Sequence, residues 1–93
     1  MMQNENISQA KKYMIKLPVQ KRSRETVASI KESATRLLVT VPYHDITTDK
    51  IAEMAGVSIG SLYQFFANKE AIISAVMDDL IVRDLTFVRA GLR

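Results

Sequence analysis

Gly56 restricts the fold of this chain more than any other residue. It stands between two short runs with helical spacing, Thr47–Ala55 and Ser58–Phe66. Glycine enters the left-handed conformation that closes a helix without steric cost. The chain is therefore predicted to end one helix at Ala55, turn through Val57 and begin a second. Thr47 is a good N-cap for the first helix, because its hydroxyl can accept from an early free backbone N–H. Ile51, Met54 and Ala55 follow at i, i+3, i+4, which predicts an apolar face. Ser58 can cap the second helix, with Val57 read as a buried pin between the two. Leu62 and Phe66 then turn inward and leave Ile59, Gly60, Ser61, Tyr63 and Gln64 outward. A helix this short is not stable alone, so its outer face is open for a partner. Gly60 costs about 1 kcal/mol relative to Ala inside a helix, which is tolerable where another backbone must come close. The pattern predicts a helix-turn-helix with a recognition helix.

The flanking segments read as support. Ser23 is a plausible N-cap for a helix in which Val27, Ile30, Ala34, Leu37 or Leu38, and Val41 recur at 3.6-residue spacing, closed near Thr40 by Pro42. Tyr43–Ile46 is a short connector. Asn68 can cap a last helix, with Glu70 in its first turn favourable to the dipole. That helix is expected to run to Ala90, with Gly91 as its stop. Ile72, Val76 and Leu80 form one apolar stripe, and Ile73, Met77, Ile81 and Val88 lie beside it. Two stripes are broader than one small body can cover, so a second partner surface is expected there. The fold class is all-α: a three-helix helix-turn-helix bundle of homeodomain-like type plus a long fourth helix, with an extra N-terminal helix as an option. Ile7, Ala10, Met14 and Leu17 fall near helical spacing, and Pro18 would stop such a helix at or before Leu17. A partly ordered lead-in is the other reading of residues 1–21.

Charge separates along the chain. The 93 residues carry a net charge of +3. Residues 1–24 hold Lys11, Lys12, Lys16, Lys21, Arg22 and Arg24 against Glu5 alone, whereas the rest holds more acidic than basic groups. A basic arm ahead of a near-neutral body suits a polyanionic partner. Arg22 and Arg24, in the run QKRSRE, are read either as a solvated charge run or as an arm touching DNA backbone or minor groove. There is no cysteine, hence no disulfide framework and no thiolate zinc site. His44 is the single histidine, with Asp45 beside it. Metal or nucleophilic chemistry needs a positioned second and third group, so His44 is read as a loop histidine. No catalytic residue, metal site or cofactor is expected, and the chain is not read as an enzyme. Apolar runs are far short of a membrane span, and a cytoplasmic, nucleoid-associated protein is the expectation.

The stretch IAEMAGVSIGSLYQFFANKEAI resembles the DNA-binding signature of the TetR (tetracycline-repressor-like) family. The shared positions are Thr47, Ile51, Ala52, Ala55, Gly56, Val57, Ser58, Gly60, Leu62, Tyr63, Phe66, Lys69 and Glu70. The chain departs at Phe65, where Tyr or His is usual, which removes a polar tip able to meet DNA. It departs again at Ile72, where Leu is usual. With the preceding helix, the resemblance covers about residues 22–90.

The resemblance implies sequence-specific binding of duplex DNA by a transcriptional regulator, a repressor in most such proteins, with helix 58–66 in the major groove. Tyr63 and Lys69 would hold phosphates, and Thr47, Thr48 and Ser58 would add contacts at helix N-termini. The residue-level alternatives are a half-buried packing ring for Tyr63 and a solvated side chain for Lys69. Ile59, Gly60, Ser61 and Gln64 would face the bases, Gln64 able to pair with adenine and Ile59 to touch a thymine methyl. The implied division is an extension over 1–21, a DNA-binding domain over 22–67 with its motif at 47–66, and a connecting helix over 68–93. That helix would lead toward a C-terminal domain for ligand binding and dimerisation that these residues do not contain. A palindromic operator and a homodimer are implied for a full-length protein, with an effector only if that domain exists. This chain alone, with no ligand pocket expected, should be monomeric or weakly associating through Ile73, Met77, Ile81 and Phe87. The competing reading is a protein-interaction module that works through the apolar face of the last helix.

Overall fold

The computed structural model describes residues 13–18 and 20–91, with side chains described as far as Val82. From Lys21 onward the described residues form four α-helices, α1 (Lys21–Thr40), α2 (Thr48–Ala55), α3 (Ile59–Phe65) and α4 (Lys69–Gly91), with a 3₁₀ turn at Tyr43–Asp45. No strand occurs among the described residues. The expected all-α architecture is the observed one.

α1 presents Val27, Ile30, Ala34 and Leu37 to the core, all buried. It stops at Thr40 because Pro42 disfavours helical geometry in the residue before it. Val41 is accordingly extended, at φ −136° and ψ 156°. The start differs from the expectation at Ser23. The first bond runs from the Arg24 amide to the Gln20 carbonyl at 2.9 Å, and Gln20 is the N-cap without a side-chain bond. Lys21 and Arg22 have good helix propensity, so the helix begins two residues ahead of the serine.

α2 has both of its ends satisfied. Thr47 Oγ1 accepts from the Lys50 amide at 3.1 Å. At the other end Gly56 lies at φ 73° and ψ 30°. Its amide donates to Glu53 O at 3.2 Å, and the Val57 amide donates to Ala52 O at 3.0 Å. Those two bonds are the pair that defines a Schellman cap. The buried face of α2 is not quite the expected one. Ile51 and Ala52 are buried, whereas Met54 is 48% exposed. With only eight residues, α2 shows the core a narrow stripe, and Ile51, Ala52 and the half-buried Ala55 fill it.

Ser58 caps α3 by accepting from the Ser61 amide at 3.0 Å, and Leu62, Phe65 and Phe66 are all buried. Phe65 is therefore a core residue. A seven-residue helix that ends in two adjacent phenylalanines buries one as its last residue and the other as its C-cap. Asn68 Oδ1 accepts from the Ala71 amide at 2.8 Å to cap α4, which buries Ile72, Ala75 and Val76. α4 includes Gly91, one residue beyond the expected stop at Ala90. Val88 and Phe87 lie outside the residues whose side chains are described, as do Ile7 and Ala10 of the N-terminal extension.

The core lies where α1 packs on α2 and α4, with α3 held mainly against α2. Ile46, from the connector, is 1% exposed and fills the gap among them. Met14–Pro18 are non-helical, so any helix of the N-terminal extension stops short of Leu17. Pro18 disfavours helical geometry at Leu17, and the Ile15 amide is bonded to Phe65 O instead of to its own segment.

Gly56→Ala should lower stability by about 1 kcal/mol, because a Cβ in left-handed geometry costs roughly that much. Nothing lies within 4 Å of the added atom, so the loss is conformational. A shifted urea midpoint with an unchanged m-value is the expected measurement.

Candidate nucleic-acid interface

Burying Leu62, Phe65 and Phe66 leaves the rest of α3 as a surface. Ile59, Gly60, Tyr63 and Gln64 are exposed and Ser61 is partly so. Ile59 and Tyr63 keep 37% and 44% of their surface open, so neither ring nor branched chain is a core element. For Tyr63 this replaces the packing-ring alternative: it is anchored at one point and open elsewhere.

That anchor joins the two motif helices. The Tyr63 hydroxyl and Thr48 Oγ1 lie 2.8 Å apart in a hydrogen bond. Thr48 is the first residue of α2 and Tyr63 the fifth of α3, so the bond links the start of one helix to the second turn of the other. Ser58 Oγ accepts from the Ser61 amide and itself donates to Ser61 Oγ at 2.9 Å. The hydroxyls of Thr47 and Ser58 are thus each occupied by a capping bond, and each keeps acceptor capacity.

Gly60 has no role in internal packing. A Cβ built there meets nothing nearer than Ser58 Oγ at 3.9 Å, and its φ is not positive. Neither strain nor crowding within the chain requires a glycine at this position, so what it offers is a flat, open helix surface.

Lys69 is tethered at its tip. Its Nζ donates to Tyr43 O at 3.3 Å and lies 4.2 Å from the centroid of the Tyr43 ring. A cation over an aromatic face is favourable by about 0.5–1 kcal/mol at exposed sites. Lys50 Nζ donates to Asp45 O at 2.9 Å from the neighbouring turn. The short Tyr43–Asp45 turn therefore gathers two ammonium groups, one from α2 and one from α4. The sequence carries no spacing signal for this, because Tyr43 and Lys69 are 26 residues apart. Arg22 and Arg24 come from a different element, the first turn of α1, and are exposed there.

His44 and Asp45 make a 3.5 Å pair that is largely solvent-exposed. No group of three metal-ligating side chains occurs among the described residues. A groove of about 370 Å³ lies between α1 and α4, lined by residues including Lys31, Arg36, Val76, Asp79 and Leu80. It amends the expectation that the chain has no pocket, although it is an open groove, crossed by a Lys31–Asp79 ion pair at 2.6 Å. No helix among the described residues is long and apolar enough to cross a membrane.

An all-α bundle with a capped turn between two short helices, the second presenting an open polar face, defines a helix-turn-helix module. The family described as bacterial regulatory proteins, tetR family, matches residues 30–76. The chain belongs to the TetR family of bacterial regulatory proteins. It is also similar to the HTH-type transcriptional regulator EthR of Mycolicibacterium smegmatis, with 39% identity over 56 residues, 60% of this chain and 26% of that protein. The match thus spans about a quarter of that relative's length.

Because its added Cβ has room and glycine is a poor helix former, Gly60→Ala should raise the thermal stability of the free chain. The gain should be at most about 1 kcal/mol. A loss of stability would mean that the backbone at residue 60 needs freedom that its geometry does not suggest.

Proposed function

We propose that this chain is the DNA-reading module of a TetR-type transcriptional repressor and acts by inserting α3 into the major groove of duplex DNA. The observation that carries the reading is the face of α3. It combines an unobstructed glycine, two exposed polar side chains (Tyr63 and Gln64) and a capped N-terminus, all backed by buried Leu62 and Phe66. The major groove admits a helix and displays a distinct donor and acceptor pattern for each base pair.

In this reading Gly60 lets the helix backbone approach the base edges. Gln64 pairs with adenine, Ile59 meets a thymine methyl, and Ser61 supplies an adaptable hydroxyl. Tyr63 and Lys69 bind phosphates on either side of the groove. Their tethers to Thr48 and Tyr43 support this role, since a preordered contact loses less entropy on binding. Thr47, Thr48 and Ser58 lie at helix N-termini, where backbone amides favour an anion. Arg22 and Arg24 extend the contact along the backbone as an arm. Residues 22–67 form the DNA-binding unit, and 68–93 lead toward the remaining part of a longer regulator. That part would supply the dimer interface and any effector site, and two-fold pairing would match a palindromic operator with half-sites about 34–36 Å apart. Exposed Met77, Ile81 and Val82 on α4 suit coverage by a partner surface. They are equally the feature that a pure protein-interaction module would use. A cytoplasmic location follows from a chromosomal target, and the reading calls for no cofactor and no catalytic step.

Selection from a random duplex pool is the deciding experiment, and recovery of no preferred motif would sink the proposal in favour of the interaction module. On the selected duplex, affinity should fall with salt at a log–log slope of about −0.9 per neutralised phosphate. Lys69→Ala should weaken all duplexes alike and make that slope shallower by about one phosphate. Gln64→Ala should instead relax preference at one base position per half-site, by about 1–3 kcal/mol if the pairing is bidentate. Gly60→Leu should abolish binding while circular dichroism shows helicity intact.

A further inference from the structure

The C-terminal end of α3 is closed by a part of the chain fifty residues upstream. The Ile15 amide donates to the Phe65 carbonyl at 2.8 Å. The last four carbonyls of any helix lack intrahelical partners, and in a helix of seven residues they are most of the carbonyls it has. The Leu62 carbonyl is taken by the Phe66 amide at 3.0 Å, and that of Phe65 goes to Ile15. The same upstream segment has a second anchor. The Tyr13 phenol faces the Asp78 carboxylate of α4, which raises its pKa through hydrogen bonding and charge, and the side chains of Tyr13 and Met14 pack against the core cluster that contains Phe65 and Phe66. Ile15 itself points its side chain to solvent, at 64% exposure, so its contribution is the backbone bond.

We propose that residues 13–15 form a clasp that positions the recognition helix, with Tyr13 acting through Asp78 to hold the Ile15 amide on the end of α3. The inference rests on the DNA-reading role of α3. A helix this short takes its orientation from its ends, since it has no independent stability. Its N-terminal end is set by Ser58 and the Gly56 turn. Its C-terminal end, which immediately follows Tyr63 and Gln64, is set by the clasp. Tyr13 and Ile15 therefore act on base reading without touching DNA. The phenol supports this arrangement at neutral pH. A phenol is protonated at neutral pH, and hydrogen bonding to Asp78, burial and the carboxylate charge raise its pKa further above the ordinary value.

The test uses the 93-residue chain, the duplex that the wild-type chain selects from a random pool, and a scrambled duplex of equal length. Failure of the wild type to select any duplex would remove the underlying reading before a variant is compared. Given selection, Tyr13→Phe should lower the ratio of affinities for selected over scrambled duplex by about two- to tenfold, as expected for one hydrogen bond. The salt slope should be unchanged, because no phosphate contact is lost. Asp78→Ala should do the same, and the double variant should lose no more than either single one. Asp78→Asn keeps an acceptor and should stay near wild type, as should Ile15→Ala, which retains the amide. Unchanged discrimination in Tyr13→Phe would overturn the clasp. So would equal weakening on both duplexes with a lower melting temperature, the mark of a merely structural contact. A shallower salt slope would overturn it too, by showing that the segment touches DNA directly.

Discussion

The left-handed turn at Gly56 is the constraint on which the rest of the structure depends. The amides of Gly56 and Val57 return to Glu53 and Ala52, which satisfies two carbonyls at the end of α2 and reverses the chain within two residues. This short connection leaves α3 little choice of angle. It delivers Leu62 and Phe66 to the core and turns the opposite face outward. Neither α2 nor α3 has the length to be helical alone, so each is stable only as half of the corner. The support comes from α1 and α4, whose longer apolar stripes bury Ile51, Leu62 and Phe66 to within 1% of full coverage.

Around that corner the structure reduces freedom on the surface that faces outward. In the proposed role, that surface needs side chains that are exposed yet ordered, and those two demands conflict, because exposed long side chains keep their rotamer entropy. The chain resolves the conflict with tethers at the root or tip. Tyr63 is bonded through its hydroxyl to Thr48, and Lys69 is stacked on Tyr43 while donating to its carbonyl. Serine pairs at residues 58 and 61 fix the first turn. Such contacts on the surface contribute little to stability. Their effect is on preorganisation, which lowers the entropy lost on binding.

Much of this was legible in the sequence, for reasons that can be named. Caps are local: Thr47, Ser58 and Asn68 each accept from an amide three residues on, and a serine, threonine or asparagine ahead of an apolar run is enough to expect it. Pro42 ends α1 by its own stereochemistry. Where the reading missed, the deciding contact was distant. Met54 matches the helical period of α2, but the neighbouring elements cover Ile51 and Ala52 instead. Phe65 stands where the family signature usually has a polar tip, and the packing at the end of α3 buries it. Ser23 has the side chain of a cap, yet α1 starts at Lys21 behind Gln20, which serves without any side-chain bond. Nothing in the spacing of Tyr13 or Ile15 signals contacts with Asp78 and Phe65.

By itself the sequence determined the class of fold, the position of the turn and the membership of the family, since these follow from residues within one or two helical turns of each other. Glycine at position 56 and the two threonine and serine caps act through backbone geometry that no tertiary contact has to supply. Only the tertiary structure decided which side chains of α3 stay open, which cations are gathered at the Tyr43–Asp45 turn, and what closes the far end of α3. Those outcomes depend on groups 15 to 50 residues apart in the chain. Their meeting is set by how four helices pack, not by any local preference of the residues that meet.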